Sequence, residues 1–192
     1  MYLGIFPYKR VFMSGFTATH TDTAVSDRSV GIYAWFVWGL AAFFFFAEYF
    51  ARVAPTVMMN ELLQSLMIGA TGFGSITAAF YWTYIPMQLP VGLLVDRFSV
   101  RWLLATMAFL TAFSCAVFAS SIGLAMACFS RLLLGFGAAF AFVGAIKMAA
   151  MWFPPTMLGM LAGFTQALGM LGAASGELPV AYLVERFGWR AS

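Results

Sequence analysis

Charge is what this sequence has least of: 10 Lys and Arg and 7 Asp and Glu among 192 residues, 9% of the chain. A soluble domain carries about a quarter charged residues and needs them at its surface, so a water-soluble fold is excluded. Histidine is scarcer still. His20 is the single one, in a polar N-terminal stretch, and a metal site needs several converging donors, so no metal centre is expected. Cys115 and Cys128 fall inside apolar runs and read as small buried hydrophobes, not as a disulfide or a metal pair. The sequence has no H-E-x-x-H, no paired membrane aspartates and no Ser/His constellation. That argues against an intramembrane enzyme and leaves no cofactor to expect. The net charge of +3 comes from basic residues that form no patch, so nucleic acid is not a partner.

What the chain has in excess is apolar. Hydrophobic residues make up 63% of it, with 22 Phe, 13 Met and 6 Trp, and the mean hydropathy is +0.91. Such a composition excludes disorder. The solvent over most of this surface is lipid, and the fold class is an all-α polytopic membrane protein. At roughly 20 apolar residues per span plus short loops, the length holds about five or six helices.

Residues 1–30 lack the form of a signal peptide, because the opening apolar stretch is short and Lys9-Arg10 is followed by Ser/Thr/Asp-rich sequence. They are expected to be a cytoplasmic tail. Residues 31–192 carry the spans, expected over about 32–54, 68–95, 102–119, 124–152 and 158–184, with Glu185–Arg190 as an interfacial turn. Basic residues favour an N-inside orientation. Lys9, Arg10, Arg28, Arg97 and Arg101 then lie inside, against Arg186 and Arg190 outside. Gly159-x-x-x-Gly163, Gly172-x-x-x-Gly176 and the pair Gly135 and Gly137 predict close helix packing.

A charge at mid-membrane costs about 2.5–3.5 kcal/mol even on the lenient insertion scale, so each one is a functional candidate. Glu48, Arg52, Arg131, Lys147 and Glu177 qualify, with Glu177 expected at the interface. Glu48 and Arg52, four apart, share a helix face and can neutralise one another. Arg131 is expected near the outer end of the fourth span, and Lys147 deeper, either snorkelling to the interface or facing a central cavity. Tyr81, Tyr84 and Gln88, at i, i+3 and i+7, make one polar stripe, and Gln166 lies mid-span in the fifth helix. In lipid such groups face protein or water.

Between the second and third spans stands Gly92-Leu93-Leu94-Val95-Asp96-Arg97-Phe98-Ser99-Val100-Arg101. It resembles the G-x-L-x-D-R-x-G-x-R signature of the major facilitator superfamily, with Ser99 where the family usually has glycine. Arg131-Leu132-Leu133-Leu134-Gly135-Phe136-Gly137 resembles that family's fourth-helix R-x-x-x-G-x-G, and the segment Gly169–Gly176 its Gly-rich fifth helix. Around Arg52 and at Trp152-Phe153-Pro154-Pro155 the sequence looks most like the organic-anion:cation symporter branch.

The resemblance implies the N-terminal half of a transporter, five transmembrane helices plus the start of a sixth, in a bacterial inner membrane. A small organic anion would move by proton- or cation-coupled alternating access. Arg52 and Lys147 would attract the anion, with Tyr84, Gln88 and Gln166 as neutral hydrogen-bonding groups. Glu48 and Arg131 would be charges tied to coupling, and Gly92, Asp96, Arg97 and Arg101 would form the gating loop. A complete cavity would need a C-terminal half or a second copy. The alternative is a truncated or non-transporting membrane protein, a scaffold or partner subunit.

Overall fold

The computed structural model describes residues 31–189, so the expected tail and Arg190 lie outside the described residues. Within them the chain is helical: α1 (Ile32–Val57), α2 (Met59–Ser65), α3 (Ala70–Arg97), α4 (Val100–Ala119), α5 (Leu124–Trp152) and α6 (Leu158–Phe187), with a 3₁₀ turn at Pro155–Met157 before α6. By length and composition four helices can cross a membrane. Taken as one broken span, α2 with α3 makes a fifth candidate, two helices bent by 114° to one another. The polar Asn60–Ser65 stretch thus forms a helical turn of its own, and the bend falls where Met67 takes a left-handed φ of 49°. α3 is less apolar than its neighbours because it carries Tyr81, Tyr84, Gln88 and two prolines.

α5 is the hub. It packs on α3, α4 and α1, while α1 packs along α6 on its other flank. Two glycines let α5 hold two neighbours at once. A Cβ at Gly135 would stand 2.2 Å from the Phe80 carbonyl oxygen of α3, and one at Gly137 2.6 Å from Thr111 Oγ1 of α4. Residues two apart on a helix point to nearly opposite sides, so this spacing opens both faces of α5 to close backbone approach. Thr83 ties the first contact, its hydroxyl donating across to the Leu132 carbonyl at 2.8 Å. Such a bond satisfies a polar group that lipid could not.

On α6, Gly169 meets the Phe45 ring, Gly172 the Phe46 carbonyl and Gly176 the Phe50 backbone, so a small-residue stripe lies along the aromatic ridge of α1. Gly159 and Gly163 correct the sequence expectation. A Cβ at either would meet nothing within 4 Å, so this second glycine pair packs no helix of the described chain. The chain ends α6 at Gly188, whose φ of +78° suits glycine. Trp189 then turns edge-on to Phe118, with ring centroids 6.2 Å apart.

The glycine contacts make a ranked prediction. Gly135→Ala and Gly172→Ala push a methyl against backbone that has no rotamer to yield, and each should cost about 1–3 kcal/mol. Gly163→Ala should be neutral or slightly stabilising, since alanine is the better helix former. Thermal unfolding in detergent, followed by circular dichroism, orders the three. Equal melting temperatures would refute the packing described.

Candidate functional site

α1 carries a proline inside its sequence, and the structure of the site follows from it. The helix continues through Pro55 to Val57, beyond the expected end near Ala54. A proline has no N–H to give the carbonyl four residues back, which leaves the Ala51 oxygen without its helical donor. Arg131 of α5 supplies one: its Nη1 donates to Ala51 O at 3.0 Å. The guanidinium, 5% exposed, also lies 4.9 Å from the centre of the Phe118 ring. A buried cation and an orphaned carbonyl thus satisfy each other, joining α1 to α5 one residue before Arg52. Arg131 also lines a cavity of about 370 Å³ between α1, α4 and α5, walled mainly by apolar side chains such as Phe50, Met58 and Leu134.

Arg52 itself projects from α1 towards α3. Its guanidinium carbon lies 4.5 Å from the ring centre of Tyr49 and 4.8 Å from those of Phe80 and Tyr84. The last two rings stack on each other at 5.3 Å. Three aromatic rings make a cage that suits a cation, each contact being worth about 0.5–2 kcal/mol according to how dry it is. On its own helix Arg52 pairs with Glu48, Nη2 at 2.6 Å and Nε at 2.9 Å, both to Oε1. The Glu48 side chain is wholly buried and that of Arg52 is 18% exposed. The ion pair expected from the i, i+4 spacing is therefore present. Tyr84, from the stripe on α3, is the one neutral candidate that touches Arg52.

The other candidates lie elsewhere. Gln88 is exposed one turn further along α3, and Gln166 is half-buried on α6. Lys147 is not beside Arg52. It stands 16 residues beyond Arg131 on α5, about 24 Å at the helical rise. There its Nζ meets Asp96 Oδ1 at 2.6 Å, with both side chains well exposed. This brings Lys147 to the α3–α4 loop, where Arg101 lies 5.7 Å from the Trp152 ring and Arg97 is exposed. Gly92 is exposed, and a Cβ there would meet nothing within 4 Å. Glu177 is exposed on α6. Among the described residues no group of three or more His, Cys, Asp or Glu is placed to hold a metal ion.

Sequence reasoning missed two members of the site. Phe80 looks like any lipid-facing aromatic until the fold sets it over Arg52. Ala51 matters only through its carbonyl, for which Pro55 was the available signal.

Comparison with known proteins agrees with this architecture. The profile of the Major Facilitator Superfamily matches residues 37–192. The chain is 32% identical over 158 residues to Uncharacterized transporter YybO of Bacillus subtilis (strain 168), covering 82% of this chain and 36% of that protein. It is 27% identical over 175 residues to Probable galactarate/D-glucarate transporter GarP of Escherichia coli (strain K12), covering 86% and 39%. Against Probable sulfoacetate transporter SauU of Cupriavidus necator it is 25% identical over 154 residues, covering 79% and 35%. The chain thus spans a little over a third of the length of these relatives. With the profile matched over most of its length, and with an all-helical bundle bearing the expected loop, this chain belongs to the Major Facilitator Superfamily.

Proposed function

We propose that the chain forms one wall of a secondary transporter for a small organic anion. The observation that carries this reading is Arg52: a guanidinium partly open to the surroundings, held in an aromatic cage in the interior of a membrane helix bundle. Arginine presents a planar fork of donors that matches a carboxylate. Placed in a low-dielectric setting, it would select an anionic group over a neutral one. GarP is named for galactarate and D-glucarate, and SauU for sulfoacetate, all of them acids.

In this reading Arg52 takes the solute's carboxylate, Tyr84 borders it, and Gln88 and Gln166 offer neutral hydrogen bonds to the remainder. Arg131 stiffens the joint behind Arg52. Lys147 acts at the loop with Asp96, Arg97 and Arg101, where an exposed ion pair pins the end of α3 to α5. Alternating access needs a second wall, from a C-terminal half or a second copy, that rocks against this one. Transport is driven by a proton or cation gradient. The protein lies in a bacterial inner membrane with its N-terminus in the cytoplasm, which the bias of Lys and Arg towards that side supports.

Uptake of D-glucarate into proteoliposomes, by this wall assembled with the second wall it needs, tests the site. Arg52→Ala should lower uptake at least tenfold, as loss of a charged hydrogen bond of about 1.5–3 kcal/mol would. Lys147→Ala should leave the KM for solute unchanged. Wild-type uptake by the Arg52 variant would remove Arg52 from the site. The 192-residue chain held as a monomer should take up no more than empty liposomes, and uptake above that level by the monomer would show that one wall suffices.

Orientation is checked separately. With Cys115 and Cys128 replaced by serine, a cysteine at position 99 (Ser99→Cys) should react with an impermeant maleimide only in inverted vesicles. Labelling from outside intact cells would reverse the topology.

A further inference from the structure

A groove of about 330 Å³ lies between α1 and α4, over α5. Its walls are apolar, formed by Leu40 and Phe44 of α1 and Ala108 of α4, with Met148 of α5 beneath. One end is different. There Tyr33 and Arg101, at the starts of α1 and α4, line the groove beside Trp152 at the end of α5. The Arg101 guanidinium carbon lies 5.7 Å from the centre of the Trp152 ring, and the Tyr33 ring stands edge-on to it at 5.2 Å.

The charge at this end is one-sided. Among the described residues neither Arg101 nor the neighbouring Arg97 has an acidic partner, and Asp96 is taken by Lys147. α4 begins with no acidic residue in its first turn and no side-chain cap, so its unsatisfied N–H groups add to the positive side. Trp102, 78% exposed, with Tyr33 and Trp152, marks the depth of the lipid headgroups. The shape limits the occupant as well. From Tyr33 to Phe44, α1 advances about 16 Å. Spread over that length, the volume leaves a cross-section of about 20 Å², against roughly 80–110 Å² for a helix 10–12 Å across. A single extended hydrocarbon chain fits this width, and a helix from a second copy or another protein does not.

We propose that the groove holds one acyl chain of an anionic phospholipid whose phosphate is bound by Arg101 at the start of α4. An anionic lipid brings a phosphate with no cation of its own, which is what an unpaired guanidinium and an uncapped helix start lack. The lipid belongs to the leaflet that faces the α3–α4 loop, where basic pockets between helices take such headgroups. Its chain covers apolar surface that α1 and α4 leave open to one another. It thereby ties the start of α4 to α1, beside the loop that carries Asp96 and Arg97. Neither the identity of the solute nor the role of Arg52 enters this assignment.

Native mass spectrometry of the purified chain, delipidated in detergent and titrated with dioleoyl phosphatidylglycerol or dioleoyl phosphatidylcholine, tests it. Wild type should bind one phosphatidylglycerol with a Kd about fivefold or more below that for phosphatidylcholine. Arg101→Gln should weaken that binding about fivefold, and Arg101→Lys, which keeps the charge, should retain most of it. Arg97→Gln removes a charge that does not line the groove and should leave the binding unchanged. Ala105 is an exposed residue of the groove wall, so Ala105→Phe fills the groove without displacing packed neighbours and should abolish the binding. Equal affinity for the two lipids, equal losses in Arg101→Gln and Arg97→Gln, or undiminished binding by Ala105→Phe overturns the proposal. So does displacement of the lipid by sn-glycerol 3-phosphate, which would make Arg101 a site for free phosphate. A dimer that Ala105→Phe dissolves would give the groove to a second copy and overturn it too.

Discussion

One missing hydrogen organises the centre of this bundle. Pro55 cannot donate to the Ala51 carbonyl, and lipid has no donor to offer, so the group depends on one from elsewhere in the bundle. Arg131 supplies it from 80 residues away in sequence. The bond serves two needs at once. It satisfies a carbonyl that would otherwise stand bare, and it gives a partner to a cation that is 5% exposed. It also fixes the depth of α1 against α5. Everything on α1 near residue 51 inherits that register, including the turn that carries Glu48, Tyr49 and Arg52.

The glycines then decide how near the remaining helices come. Close backbone approach at Gly135 brings Phe80 and its neighbours on α3 tight against α5, and so within reach of α1. That is why the rings of Phe80 and Tyr84 can border Arg52 although they belong to a different helix. The cage around the guanidinium is thus made by backbone proximity as much as by aromatic residue types. A bulkier residue at position 135 would act on the site without touching it.

How much of this is legible in sequence depends on the distance over which each interaction acts. The Glu48–Arg52 pair can be read directly, because four residues on one helix turn determine it. The loop from Gly92 to Arg101 is likewise local, and its residue pattern identifies the superfamily. Lys147 shows the limit. Its position in an apolar run suggests a central cavity, yet the partner that claims it, Asp96, sits on another helix, and only the relative register of α3 and α5 brings them together. Glycine pairs have the same ambiguity. Gly172 and Gly176 face α1 while Gly159 and Gly163 face no described helix, and a spacing of four says nothing about which face finds a neighbour. The break between α2 and α3 is marked by its polar residues, but the 114° bend is a backbone outcome at Met67.

The two arginines inside the bundle, Arg52 and Arg131, differ in one respect that bears on how the protein is made. Arg52 finds its counter-charge one helical turn away, so the partial neutralisation is available as soon as α1 has coiled. α1 can therefore enter the bilayer without waiting for any later segment. Arg131 has no such local partner among the residues of α5, and its acceptor belongs to a helix synthesised earlier. Integration of α5 is favoured when α1 already stands beside the insertion site with its Ala51 carbonyl open. The order of the segments along the chain thereby becomes part of the physical chemistry of membrane insertion.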